Sequence, residues 1–475
     1  MNVRIGTKHL VVLVGAFIAA RIVALSTYPV YDDAYITYRY SQNLANGDGL
    51  VYNLDETVLG TTTPLFSILL AGLHAVGLSL PTIVPLLNVA LDAALCVLVI
   101  RWVLRNEPIA ALLFVAAYAV SPIAGRITAG GMEANAFVLM SLGSLVLYRR
   151  GRLVPAINLA GLSYFVRPEA IVMVAVLCLH RLIVARKTTS AFRLGAIALA
   201  IASGGMAIMY FVYGTILPQS VTAKSGLDMS SLTVLRQLVG PEPVSLLLLP
   251  VAIVGAPTGS RRSSTLRLTL WWGGTYLALY VVASPQIWSW YALPVQVTMM
   301  IFAGLGGAYL LQRLPRLNTV STPVLSGAAA ALMVLIPAAV LVIRGQERVT
   351  DNVYQEITAY CDNQAREGLT IYAGDIGIVG YACSPAKILD GAGLVWPERT
   401  DFDTAEDIIE AYRPDVLLLV ATKSASGFAL TEAMSELYQP TRRFNADGNE
   451  TIPDPSDLPR GWFQDYILFE RIDAG

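Results

Sequence analysis

The chain has 475 residues, of which 55% are hydrophobic and 14% charged, with a mean hydropathy of +0.58. Soluble domains carry roughly 25% charged residues, so this composition excludes an ordinary soluble protein and indicates a polytopic membrane protein. A formal net charge of −1 lacks the basic surplus of a nucleic-acid binder, and no nucleic-acid partner is expected.

In chain order, Arg4 and Lys8 precede an apolar run at about 8–26. The pattern is that of a signal peptide, but Arg21 interrupts the run and no small-residue cleavage site follows, so it reads as an uncleaved first helix. Further apolar runs fall at about 82–104, 107–122, 132–148, 153–166, 168–184, 192–213, 244–257, 266–283, 291–311 and 321–343. Basic clusters lie at Arg4/Lys8, Arg101/Arg105, Arg149/Arg150/Arg152, Arg181/Arg186/Lys187, Arg261/Arg262/Arg267 and Arg313/Arg316. With all of these on the cytoplasmic side, the loops 27–81, 123–131, 214–243 and 284–290 and the turn near Arg167 fall outside. The scheme has about 11 crossings of the plasma membrane, a cytoplasmic N-terminus and an extracytoplasmic C-terminus. It requires the run 64–79 to lie along the outer surface or to dip in and return.

From about 345 the pattern changes. "LTIYAGDIGIVGYA" reads as a buried strand, a turn and an apolar segment, and "TAEDIIEAYRPDVLLLVAT" as an amphipathic helix, a proline break and a second strand. The expected organisation is a helical membrane domain at 1–344, with its first outer loop at 27–81, and a small extracytoplasmic α/β domain at 345–475.

Candidate chemistry begins in "YPVYDDAYITYRYSQNLANGDGLVYN", Tyr28–Asn53. The spacing predicts a helix that starts near Asp32-Asp33 and ends at Gly47. One aspartate is ordinary capping chemistry; two beside a membrane leave that reading incomplete. On a helix Asp32, Tyr35, Ile36 and Arg39 share a face, while Asp33, Thr37 and Tyr40 share the adjacent one. Asp32 and Arg39 are then about 10.5 Å apart along the axis and bracket space for a polar ligand. Other outer-side candidates are Glu133 in "GGMEANAF", Arg167 and Glu169 in "YFVRPEA", Lys224 in "YGTILPQSVTAKSGL", and Trp288, Trp290 and Tyr291 in "SPQIWSWYALP". Each has a plain alternative: a local Arg167–Glu169 pair, an interfacial lysine anchor, or tryptophans of the aromatic belt. Within the membrane, Arg21 lies near a helix end and can snorkel. His74 sits in the ambiguous run, and Asp92 either pairs with another helix or stays protonated.

Of the four cysteines, Cys96 and Cys178 lie in apolar runs and read as core packing. Cys361 and Cys383 lie in the polar C-terminal part and form either a disulfide, if that part faces an oxidising compartment, or two buried thiols. Asn449-Glu450-Thr451 is a formal glycosylation sequon and reads as chance. No phosphate-binding P-loop, HExxH or serine-nucleophile elbow occurs, and no metal-type Cys/His cluster is seen, so no metal or cofactor is expected.

The acidic pair with "ITYRYSQNLANGDGLVYN", then "LGTTTPLFSILLA", "GMEANAF", "RPEA" and "YGTILPQSVTAK", resembles the GT-C glycosyltransferases that take sugars from polyprenyl-phosphate carriers. The nearest likeness is to the mycobacterial-type terminal arabinofuranosyltransferase family, over about residues 30–300, and "GDIGIVGYACSPAKILDGAGL" resembles the tail domain of its relatives. The resemblance implies a GT-C-like fold and inverting transfer of arabinofuranose to a cell-envelope glycan hydroxyl. It implies Asp32 as first choice of base, with Asp33 second. Arg39, Arg167, Lys224, Glu133 and Tyr291 would hold the donor phosphate and sugar, and Trp288 and Trp290 the acceptor. Pro218-Gln219-Ser220 and Trp290-Tyr291 depart from the family's usual Pro-Asn-Thr and Arg-Tyr. The competing readings are a secondary transporter of a polar or lipid-linked substrate and a non-catalytic membrane scaffold.

Overall fold

A computed structural model describes residues 6–54, 56–226, 228–313, 322–344, 349–364, 366–420, 436–445, 451–452 and 465–472. Arg4, Arg316, Asn449 and Glu450, named above, lie outside the described residues. The chain divides into two compact units, one of Met1–Tyr28, Val84–Ala207 and Gly226–Gly345, the other of Pro29–Ile83, Ile208–Ser225 and Gln346–Gly475.

The long apolar helices lie wholly or mostly in the first unit. They are α1 (Thr7–Thr27), α4 (Leu80–Leu98, continued by a π-turn at Val99–Val103), α5 (Pro108–Val120), α6 (Pro122–Ala129), α7 (Ala134–Arg149), α8 (Leu153–Leu162), α9 (Ile171–Leu179) and α10 (Thr188–Tyr213). After a short α12 (Ser231–Val239) come α13 (Pro243–Arg262), α14 (Ser264–Ala283), α15 (Leu293–Gln312) and α16 (Thr322–Arg344). Each expected apolar run contains one of these helices. Among the described residues, five helices are long and apolar enough to cross a membrane, and α5 and α6, bent by 61°, make up to a sixth span. The protein is a multi-pass membrane protein.

Proline at the first turn starts α5, α6 and α13, where its missing N–H has no intrahelical partner in any case. Helix α15 is buried continuously from Leu293 to Gly306 and is apolar all round, as a central helix must be. Gly255 of α13 and Gly306 of α15 let two backbones meet: a Cβ at either would overlap the other helix's main chain.

Arg21 and Asp92 are both fully buried, so Arg21 does not snorkel. Arg21 Nε donates to Asp92 Oδ2 at 2.8 Å, and its Nη groups donate to the carbonyls of Tyr118 and Ala119. Asp92 also accepts from Tyr118 Oη (2.6 Å), Thr128 Oγ1 (2.6 Å) and Asn135 Nδ2 (2.7 Å). A buried ion pair persists where further hydrogen bonds support it, as those to both oxygens of Asp92 do here.

The second unit contains α2 (Asp32–Asn46), α3 (Pro64–Ala75), α11 (Gln219–Ala223), α17 (Val349–Gln364), α18 (Gly377–Ala382) and α19 (Ala405–Tyr412). A sheet of β1 (Thr370–Ala373), β2 (Lys387–Asp390), β3 (Val416–Val420), β4 (Tyr438–Asn445) and β5 (Asp465–Arg471) runs in the order β2-β1-β3-β5-β4. Strand β1 is parallel to β2 and β3, whereas β5 is antiparallel to β3 and β4. The apolar β3 sequence "VLLLV" suits a central strand, and Leu417 packs with Tyr372, Trp396, Ile408 and Phe469. Thr404 and Asp407 form a capping box that starts α19, and Gly47, at φ 95°, ends α2. Helix α3 has 12 residues, about 18 Å of rise, short of the roughly 30 Å of a bilayer core. Cys361 and Cys383, both buried, are joined as a disulfide.

The second unit joins 29–83 and 208–225 to the residues after 345. The reason is hydrogen bonding among polar segments. Asn53 exchanges two bonds of 3.0 Å with the backbone of Ile388, and Tyr52 Oη donates to the Ile376 carbonyl at 2.6 Å.

Candidate functional site

Tyr31, in an extended conformation, is the N-cap of α2, so Asp32 and Asp33 fall in its first turn, where the positive end of the helix favours carboxylates. The two then diverge. Asp32 Oδ2 accepts from the Gly377 amide at 2.9 Å and Oδ1 from the Ile378 amide at 2.8 Å. These are the otherwise unpaired donors at the N-terminus of α18. Arg39, two turns along α2, is fully buried. Its Nε donates to the Tyr52 carbonyl (2.5 Å), its Nη2 to the Ala386 carbonyl (2.7 Å) and its Nη1 to the Gly380 carbonyl, and the group lies over the Tyr52 ring.

Asp32 and Arg39 therefore do bracket a polar object, but it is the chain's own helix α18, with the acid at its N-terminus and the base near its C-terminus. Arg39 is withdrawn from the donor-binding set, since burial and three backbone acceptors leave it no reach to a phosphate. Gly377 and Gly380 follow from the same contact: a Cβ at 377 would overlap the Asp32 carbonyl, and one at 380 the Tyr52 hydroxyl.

Asp33 is half-buried and accepts no hydrogen bond from the described residues. Burial pushes its carboxyl above the usual carboxylate range, and the charge of Lys224 opposes this. Burial and the neighbouring Asp375 push Asp32 up to about 8, against the two amide bonds that favour its charged form. Asp375 itself is pushed up to about 6 by burial, with Asp33 adding to the shift and the hydrogen bond from Tyr466 Oη (2.9 Å) opposing it. Lys224 follows α11, which Gln219 anchors through its backbone N–H to the Leu59 carbonyl (2.6 Å) and through Nε2 to the Gly393 carbonyl (3.2 Å). The loop bearing Gly393 is shaped by the buried Asp390, which accepts from the amides of Ala392 and Val395 at 2.8 Å each.

Asp375, Tyr466 and Asp390 escape a sequence reading. The "GDIG" and "GAGL" stretches read only as turns, and nothing local ties Tyr466 to residues ninety positions earlier.

The first unit holds a second constellation. Arg167 is extended (φ −153°, ψ 128°) ahead of Pro168, as a residue before proline prefers. Its Nη1 donates to Glu133 at 2.7 Å and its Nη2 to Glu169 at 2.9 Å, and its guanidinium lies 4.4 Å from the centre of the Tyr291 ring. Tyr280 Oη also donates to Glu169. The local Arg167–Glu169 pair is thus present, and Glu133 is buried as a second partner. Trp288 stacks on Trp290 (ring centroids 6.1 Å apart, planes at 17°), and Trp290 stacks on Tyr291 (6.2 Å, 29°). Trp290 is buried, whereas Trp288 is 41% exposed. Among the described residues no group of His, Cys, Asp and Glu is arranged to hold a metal ion.

The sequence profile of a family described as a domain of unknown function, DUF8728, matches residues 343–465. No curated protein matches the chain. Among solved structures, ArnT from Cupriavidus metallidurans bound to undecaprenyl phosphate is similar at a TM-score of 0.66 and 12% identity, covering 99% of each chain. The apo state of the same protein gives 0.65 at 12% identity, with 98% of each chain covered. At that identity the likeness is one of fold: the chain has a GT-C-like architecture of membrane helices with a small C-terminal sheet domain.

Proposed function

We propose that this chain is a membrane glycosyltransferase that moves a sugar from a polyprenyl-phosphate carrier to a hydroxyl acceptor, with Asp33 as general base. The observation that carries this reading is the contrast within one acidic pair. Both oxygens of Asp32 are taken by backbone amides, whereas Asp33, under the field of Lys224, accepts no hydrogen bond from the described residues. A general base needs a free lone pair and a pKa raised toward the working pH. The order of preference between the two aspartates is therefore reversed from that of the sequence. ArnT was solved with undecaprenyl phosphate, and a lipid phosphate of that kind is the carrier chemistry assigned here.

The acceptor oxygen attacks the anomeric carbon, and the bond from that carbon to the phosphate oxygen breaks with inversion. The hydroxyl proton passes to Asp33. The lipid monophosphate leaves with an added negative charge, which Lys224 stabilises. Within the first unit, Arg167 is matched by Glu133 and Glu169 and holds Tyr291 and Glu169 in place.

Arabinofuranose is the sugar favoured by the sequence resemblance, a cell-envelope glycan is the acceptor, and the reaction belongs on the extracytoplasmic face; mannose is the competing sugar. A transporter would use charges within the membrane, and the pair Arg21–Asp92 is satisfied by the protein itself. The test is transfer of radiolabel from decaprenyl-phosphate arabinofuranose and from polyprenyl-phosphate mannose by purified wild type, Asp33→Asn and Asp32→Asn. Transfer by wild type that is abolished in folded Asp33→Asn supports the assignment. Undiminished transfer by Asp33→Asn removes Asp33 as base, and no transfer from either donor removes both donors from consideration.

A further inference from the structure

We infer that the helix ends bearing Tyr148, His180, Arg181 and Arg267 form a binding site for the phosphate of an anionic membrane phospholipid, separate from the residues of the proposed transfer reaction.

Four helix ends of the first unit supply it. Tyr148 and Arg149 lie in the last turn of α7, and a π-turn at His180–Val184 continues α9. Ser190 is in the first turn of α10, and Arg267 and Trp271 lie on one face near the start of α14. Side-chain contacts join these ends. Tyr148 Oη and His180 Nδ1 share a hydrogen bond of 2.6 Å, and the rings of His180 and Trp271 meet with centroids 6.3 Å apart. The Arg181 guanidinium lies 5.9 Å from the centre of the Tyr148 ring, and its Nε donates to Ser190 Oγ at 3.2 Å. Arg149, Arg181 and Arg267 are the charged groups that act on His180.

No Asp or Glu occurs in 134–168, 170–227 or 243–346, the stretches that supply all three arginines. Among the described residues no ion pair reaches any of them, whereas Arg262 is paired with Glu107 at 3.3 Å. Helix electrostatics accounts for two of the three. Arg149 and Arg181 lie in last turns, where the negative helix end favours a cation. Arg267 lies in the first turn of α14, where the positive end disfavours one, and its Nε is buried with no hydrogen-bond acceptor among the described residues. An anion among the arginines answers both points: it offsets their repulsion and gives the buried N–H an acceptor.

The neighbouring surface indicates a lipid as its source. Leu182 and Ile183, beside Arg181, and Phe192, two residues after Ser190, are exposed. Such apolar side chains on membrane helices face acyl chains, so the arginines at the helix ends stand at the level of the headgroups. Basic pockets between membrane helices take lipids of net negative charge.

The experiment is native mass spectrometry of the full-length protein in detergent, titrated with dioleoyl-phosphatidylglycerol, dioleoyl-phosphatidylcholine or inorganic phosphate. Wild type, Arg181→Gln, Arg267→Gln and Arg261→Gln are compared, with thermal unfolding recorded for each; Arg261, exposed at the end of α13, is the control for loss of a charge. Wild type is expected to hold one phosphatidylglycerol at least about tenfold more tightly than phosphatidylcholine. Arg181→Gln and Arg267→Gln are each expected to weaken that binding at least about fivefold, and Arg261→Gln by less than about twofold. Arg267→Gln decides the matter should Arg181→Gln not fold. Equal binding of the two phospholipids by wild type, or a loss in Arg261→Gln as large as in Arg267→Gln, overturns the site. Inorganic phosphate bound as tightly as phosphatidylglycerol overturns the lipid as its occupant.

Discussion

Asp32 accepts a hydrogen bond of 2.9 Å from the amide of Gly377, 345 positions further along the chain. A carboxylate that looks catalytic in the sequence is thereby the cap of a helix in the C-terminal segment, whereas its neighbour Asp33 accepts no hydrogen bond from the described residues.

The close approach makes Gly377 sensitive. In Gly377→Ala the new methyl group meets the Asp32 carbonyl, and the shift needed to admit it is expected to cost about 1–3 kcal/mol and to lower transfer at least about tenfold through the displaced α2. Gly374→Ala, whose added Cβ meets nothing within 4 Å, is the control. Equal activity and equal thermal stability of the two variants would show that the Asp32–Gly377 contact is slack.

Arg39 is expected to behave as a structural residue. Arg39→Met takes the arginine donor from the buried Gly380 and Ala386 carbonyls, at about 1–3 kcal/mol each, while the Tyr52 carbonyl keeps Asn43 Nδ2 at 3.0 Å; a lowered melting temperature in detergent is expected. Binding of undecaprenyl phosphate per folded molecule is expected to change by less than about twofold. Lost binding at unchanged stability would return Arg39 to the phosphate.

Lys224 is expected to affect both donor binding and the pH profile. Asp33 must be ionised to accept a proton, so activity falls as the pH drops through its pKa. Lys224 lowers that pKa. Lys224→Met is therefore expected to move the acidic limb of kcat/KM to higher pH by about one unit and to raise donor KM about tenfold. An unmoved limb, measured on folded protein, would separate Lys224 from Asp33.

The buried pair Arg21–Asp92 is expected to show coupling. Arg21→Met or Asp92→Asn alone is expected to cost about 3–5 kcal/mol, because each strands a partner. The double variant is expected to recover at least about 1 kcal/mol of the summed loss, read from thermal unfolding. Strict additivity would mean that the two groups do not depend on each other.

The sequence by itself determined the class of the protein and the positions of its helices. Apolar runs between basic clusters leave few alternatives, because unpaired backbone is costly in lipid and each span must satisfy its own hydrogen bonds. It also marked α2, whose acidic first turn and Gly47 end are local signals, and the strands about Tyr372 and Leu417, whose unbroken apolar runs suit a central position. What it left open depended on partners far along the chain. Which helix Asp92 paired with depended on Arg21, 71 positions away, and whether Cys361 and Cys383 were joined depended on how α17 meets α18. The fate of Arg39 depended on carbonyls more than 340 positions away. The tertiary structure decided these points because a side chain's chemistry follows from what desolvates it and what hydrogen-bonds to it. The same carboxylate is a cap under two amides, as in Asp32, and a candidate base without them, as in Asp33.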